Sequence, residues 1–136
     1  MRILSLSRAE FRAHTPAVNA VAVQIADPNQ PHEDILGYKR KHMTNFWDVE
    51  EEIGPYKPIS QTKAELLVDF LLANTKASEL VVHCEAGVSR SHTVAVFMAQ
   101  HILNDEVLAA KLSAQTGKSI NLGLYASLIR ALQNKG

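Results

Sequence analysis

The sequence has a single cysteine, Cys84, so no disulfide can close within the chain and an oxidising compartment is not implied. It also has no excess of either charge, because 14 Lys and Arg balance 14 Asp and Glu. Overall neutrality gives no reason to expect wrapping of nucleic acid or adsorption to an anionic membrane. No apolar run approaches the roughly 18 residues of a membrane helix. The start, Met1-Arg2-Ile3-Leu4-Ser5, lacks the apolar stretch and small-residue cleavage site of a signal peptide. These absences together predict a cytoplasmic protein. His14, His32, His42, His92 and His101 show no ligand spacing with Cys84 or with each other. No metal site and no cofactor are therefore expected, and each of these histidines is read as a surface or helix residue.

What is present suits a folded enzyme-sized domain. The 136 residues, 46 % hydrophobic and 21 % charged, are enough to bury a core as one domain over 1–136. A short first strand is predicted over Ile3–Leu6, followed by a helix near Ala9–His14 opened by a Ser7/Glu10 capping box. The valine-rich stretch 17–26 reads as a buried strand ending at the Asp27-Pro28-Asn29 turn signal. A polar loop over 27–42, a strand over Met43–Trp47 and a Gly/Pro loop over Asp48–Pro58 follow. Thr62 with Glu65 suggests a second capping box, and the helix over Gln61–Asn74 places Leu66, Leu67, Phe70 and Leu71 on one face. Glu79–His83 is a short apolar run of the kind found in a central parallel strand. Three helical segments then run over Ser91–Leu103, Asp105–Thr116 and Leu122–Leu132. Alternating strands and helices, with helices dominating late, predict an α/β fold with a central, mainly parallel sheet flanked by helices.

Two short charge runs stand out. Lys39, Arg40 and Lys41 are basic, and Glu50, Glu51 and Glu52 are acidic. Either is explained by a solvated loop, or the basic run could steer an anionic substrate.

The informative stretch is Leu80-Val81-Val82-His83-Cys84-Glu85-Ala86-Gly87-Val88-Ser89-Arg90-Ser91. A buried strand ends at His83, a loop carrying Gly87 follows, and a helix begins near Arg90. Loop amides and a helix N-terminus aimed at one place make an anion site. Cys84 sits at its base, where positive potential favours the reactive thiolate over a thiol of pKa about 8.5. Arg90 can hold two phosphate oxygens in a bidentate fork, which lysine cannot. Gly87 lets the backbone turn its amides inward. A buried core cysteine would explain Cys84 alone, but not its neighbours at these spacings.

This stretch resembles the signature of the cysteine-based protein tyrosine phosphatase superfamily: His-Cys, five residues, then Arg and Ser or Thr. His83, Cys84, Gly87, Arg90 and Ser91 match position by position, and Ser89-Arg90-Ser91 with Ala86-Gly87 is most similar to the dual-specificity branch. The layout over residues 17–104 is similar to small phosphatases of bacteria and their phages. The resemblance implies the HCx5R phosphatase fold and hydrolysis of phosphate monoesters through a cysteinyl-phosphate on Cys84. It implies that main-chain amides from Glu85, Ala86, Gly87, Val88, Ser89 and Arg90 hold the phosphate oxygens. It further implies that His83 fixes the loop and cysteine by hydrogen bonds, and that Ser91 donates to the sulfur as it leaves.

The family protonates the leaving oxygen with an upstream loop aspartate. Asp48 is the choice here, because it begins a loop beyond a strand's carboxyl end and follows Phe46-Trp47 as in the small phage and bacterial enzymes. Glu50, Glu51 or Glu52 could substitute, or a dedicated acid could be missing, whereas Asp69 lies within an amphipathic helix. Trp47 is read as core or pocket wall. Glu85 is read either as an outward loop carboxylate or as part of the pocket rim. With no second cysteine, a sulfenamide with the next backbone nitrogen is the protected oxidised form open to Cys84. The implied partner is a phosphorylated protein or a small phosphomonoester, with inositol phosphates, nucleotides and RNA 5′ ends also open for the superfamily. Rival readings are a non-catalytic phosphate-binding module and a rhodanese-like sulfurtransferase, the latter leaving His83 and Ser91 without a purpose.

Overall fold

The computed structural model describes residues 1–33 and 36–135. Part of the polar loop expected over 27–42 therefore lies outside the described residues. The elements run β1 (Arg2–Leu6), α1 (Arg8–Ala13), β2 (Ala20–Ala26), β3 (Arg40–Asn45), α2 (Gln61–Ala73), β4 (Glu79–His83), α3 (Arg90–Phe97), α4 (Glu106–Ser113) and α5 (Leu122–Gln133). The strands form one all-parallel sheet in the order β1-β4-β2-β3. In register, His83 lies between Leu6 on one side and Gln24 on the other. No helix among the described residues is long and apolar enough to cross a membrane.

The two central strands, β2 and β4, are buried along their whole length. Helices cover both faces of a parallel sheet, so central strands read as unbroken apolar runs, as the sequence suggested for both. Alternate residues serve opposite faces. Val21, Val23, Ile25, Leu80 and Val82 join the larger core with α2, α3, α4 and α5, while Ala22 and Val81 meet Phe11 of α1 on the other face. The Ser7/Glu10 capping box closes α1 in both directions, with Ser7 N donating to Glu10 Oε1 at 2.8 Å and Glu10 N to Ser7 Oγ at 3.1 Å.

Several boundaries differ from the sequence reading. β3 starts at Arg40 rather than Met43 and ends at Asn45. It is an edge strand whose first residues are exposed, so its charged start is compatible with pairing to Val21 and Ala22 although apolar periodicity does not reveal it. The basic run is thus the opening of a strand at the amino end of the sheet, away from the carboxyl end where Cys84 lies, and steering from there has no structural support. The N-cap of α2 is Ser60, whose side chain accepts from Lys63 N at 3.2 Å, not Thr62. The buried face of α2 is Ala64, Leu67, Val68 and Leu71, and Leu66 is 54 % exposed. The helix from Arg90 does not stay regular to Leu103: it widens into a π turn over Met98–Ile102. Of the segment expected over Asp105–Thr116, only Glu106–Ser113 is helical, with Asp105 as its N-cap.

Candidate active site

Because all strands run parallel, their carboxyl ends share one edge of the sheet, where open α/β folds place ligand groups. Each strand end contributes to one spot. β4 delivers Cys84, 2 % exposed. Beyond β1, Leu6 O accepts from Cys84 N at 3.2 Å. Gly87 has φ +71° and lies so close that a Cβ would collide with the Leu6–Ser7 backbone. Only glycine satisfies both conditions. Three carbonyls of the loop have backbone donors: Glu85 O accepts from Arg8 N (3.1 Å), Val88 O from Ser119 N (3.0 Å) and Ser89 O from Thr93 N (2.8 Å).

Arg90 opens α3 and is 4 % exposed. The ends of β2 and β3 hold it: Asp27 Oδ1 lies 2.8 Å from Nη1, and Nη1 donates to Phe46 O at 2.7 Å. Its Nε is buried without a partner among the described residues. An unmade buried hydrogen bond costs about 1–3 kcal/mol, so the fold carries this donor at an energetic cost. The Cys84 sulfur lies 3.2 Å from Ser91 Oγ and 3.5 Å from Ser91 N. The geometry thus brings Cys84, Arg90 and Ser91 together around the 85–90 loop.

His83 ends β4 immediately before the cysteine. The ring is 1 % exposed and stacks on Phe11, with centroids 4.2 Å apart. Burial, the dominant cause, pushes its pKa down to about 4, so it is neutral near pH 7. The adjacent Cys84 backbone acts to raise its pKa. Stacking on Phe11 fixes the ring at the strand end, against the Cys84 backbone.

Asp48 reaches the loop rim. Its Oδ1 accepts from Ser89 Oγ at 3.2 Å and from Asn121 Nδ2 at 2.8 Å. Asn121 Nδ2 also donates to Val49 O at 3.3 Å, and Asn121 Oδ1 caps α5 by accepting from Leu124 N. Glu50 Oε1 accepts from Leu122 N at 3.4 Å, and Gly123 leaves room for the Glu50 backbone. The N-terminus of α5 thus seats the Asp48 segment against the loop. Asp69 pairs with Lys135 at 2.6 Å on α2 and is no part of this cluster. Trp47 lines a neighbouring hollow and meets Tyr56 edge-on at 5.0 Å. Glu85 Oε2 lies 3.5 Å from Arg8 Nη1, and Arg8 also pairs with Glu33.

Two groups escaped the sequence reading. Asp27 was only a turn signal, and nothing local marks it as the partner of Arg90. Asn121 could have been found as an N-cap before the last helix, though not as a support for Asp48. His92 is a helix residue, as expected, buried on α3, and burial lowers its pKa.

No protein-family model and no curated protein matches the sequence. Solved structures do. Human DUSP28 superimposes with a TM-score of 0.63 at 18 % identity, covering 98 % of this chain and 95 % of that one. A mouse protein described as a dual specificity phosphatase, in complex with zinc tungstate, gives 0.58 at 20 % identity over 86 % and 72 %. With its parallel sheet, its helices and a cysteine loop at the sheet's carboxyl edge, the chain has the dual-specificity phosphatase fold.

Proposed function

We propose that the protein hydrolyses phosphate monoesters through a cysteinyl-phosphate intermediate. The observation that carries this reading is the buried Arg90 Nε, held in place by Asp27 and Phe46 yet unpartnered, beside a cysteine sulfur 3.2 Å from a serine hydroxyl. A phosphate group would complete that set: Arg90 and the 85–90 amides hold its oxygens while the sulfur faces phosphorus.

In the first step the Cys84 thiolate attacks phosphorus, the P–O bond to the leaving group breaks, and Asp48 gives its proton to the departing oxygen. In the second, water attacks phosphorus, Asp48 takes a proton from it, and the P–S bond breaks to return thiolate and inorganic phosphate. Ser91 donates to the sulfur as it leaves. Most of the rate enhancement comes from positioned N–H groups and the guanidinium facing charge that spreads over the phosphoryl oxygens. Phosphorylated protein is the proposed substrate class and the cytoplasm the proposed compartment.

Release of phosphate from para-nitrophenyl phosphate, abolished in Cys84→Ser, tests the reading. Wild-type protein that binds phosphate without turnover would replace it with a binding module.

A further inference from the structure

A groove of about 360 Å³ adjoins the loop, with Val88 and Ser89 on one side and Ser119 and Asn121 on the other. Asp48 and Glu50 line it, and no Lys or Arg does. Glu51 and Glu52 are exposed just beyond, and the Glu85 side chain is half exposed on the loop itself. Most cations of this end face carboxylates, Lys118 being hydrogen-bonded to a neutral serine instead. Arg8 is held by Glu33 and Glu85, Arg12 by Glu33, Lys57 faces Glu52 at 3.9 Å, and Lys118 donates to Ser5 Oγ at 2.9 Å. Lys39, Arg40 and Lys76, which have no carboxylate partner among the described residues, line a different hollow at the amino end of the sheet.

A phosphate pocket with carboxylates at its rim repels a ligand carrying a second anion beside the reacting phosphate and attracts one carrying a cation there. Asp48 must enter the first step with its proton, so Glu50 supplies the charge within the groove. The geometry points to a phosphorylated polypeptide with lysine or arginine next to the phosphoresidue as preferred substrate, its phosphate on Arg90 and the loop, its cation in the groove against Glu50. This rests on the proposed phosphate site, for which the unpartnered Nε of the 4 % exposed Arg90 is the independent mark. Inositol polyphosphates and nucleoside polyphosphates are disfavoured by the same charges.

The experiment uses three phosphopeptides identical except for Arg, Ala or Glu beside the phosphoresidue, with para-nitrophenyl phosphate as reference. At low salt, kcat/KM for the Arg peptide exceeds that for the Glu peptide by about fivefold to tenfold, the range expected for exposed charge pairs. The ratio falls toward one in Glu50→Gln and at high salt. Equal kcat/KM for all three peptides, or preference for the Glu peptide, overturns the proposal. If para-nitrophenyl phosphate itself is not turned over, catalysis fails as a reading, and titration calorimetry of the same peptides on Cys84→Ser protein still decides the preference. Tighter binding of the Arg peptide supports it, and equal binding refutes it.

Discussion

The central strand β4 begins on a buried ion and the loop beyond its other end leads to a second, and the two are treated in opposite ways. At the amino end, Glu79 is 2 % exposed, and the protein supplies its donors: His14 Nε2 at 3.0 Å, Ala17 N at 3.4 Å and Arg2 Nη1 at 3.8 Å. Beyond the carboxyl end, Arg90 is equally buried, but its Nε is left unmade. A buried charge is stable when its partners are complete. Glu79 is therefore an element of structure. Arg90 is clamped by Asp27 and Phe46 yet keeps an unpartnered Nε, which suits the proposed phosphate site.

The comparison breaks most sharply at Arg90. Arg90→Lys keeps the charge but loses the planar fork, and turnover should fall at least about a hundredfold. Glu79→Gln should leave kcat within a few fold, so similar kinetic losses in both variants would erase the distinction. Asp48→Ala comes next. It should cost about 100-fold or more on a poor leaving group and much less on a good one, and equal losses would remove Asp48 from the acid role. Asn121→Ala should show the same leaving-group pattern more weakly, since it acts only by seating Asp48. Asp27→Asn sharpens the contrast from the other side: kcat should drop about tenfold with little change in urea midpoint. Glu79→Ala should cost roughly 3 kcal/mol of stability, measured by urea unfolding.

The last effect is a pH dependence of stability rather than of turnover. The His83 pKa is depressed to about 4, chiefly by burial, from an unfolded value near 6.5. Between those values the unfolded chain binds a proton that the native state refuses, so stability is full above about pH 6.5 and falls as pH drops toward 4. The loss is up to about 3 kcal/mol. His42 and His92, also depressed by burial, add with the same sign. Unfolding midpoints that do not move between pH 7 and 4.5 would contradict this.

β4, the loop and α3 were legible in the sequence because their signals are local: an apolar run, a glycine and an apolar helix in unbroken succession. The start of β3 was not, because an edge strand paired through Arg40 and Lys41 carries no apolar alternation. Nor was the support of the site. Asp27 and Phe46 lie far from Arg90 in the chain and meet it only because β2 and β3 end at the same edge of the sheet. Asn121 reaches Asp48 across 73 positions by the docking of α5. The chemistry of the site is written in neighbours, while its rigidity comes from tertiary contacts.

Gly87 fits against the peptide between Leu6 and Ser7, and Leu6 O anchors the Cys84 amide. The end of β1 and the start of α1 are therefore a mould into which the loop is cast. Trimming them would remove only an edge strand from the sheet, yet deprive the nucleophile's loop of its template, so that competence is forfeited before compactness.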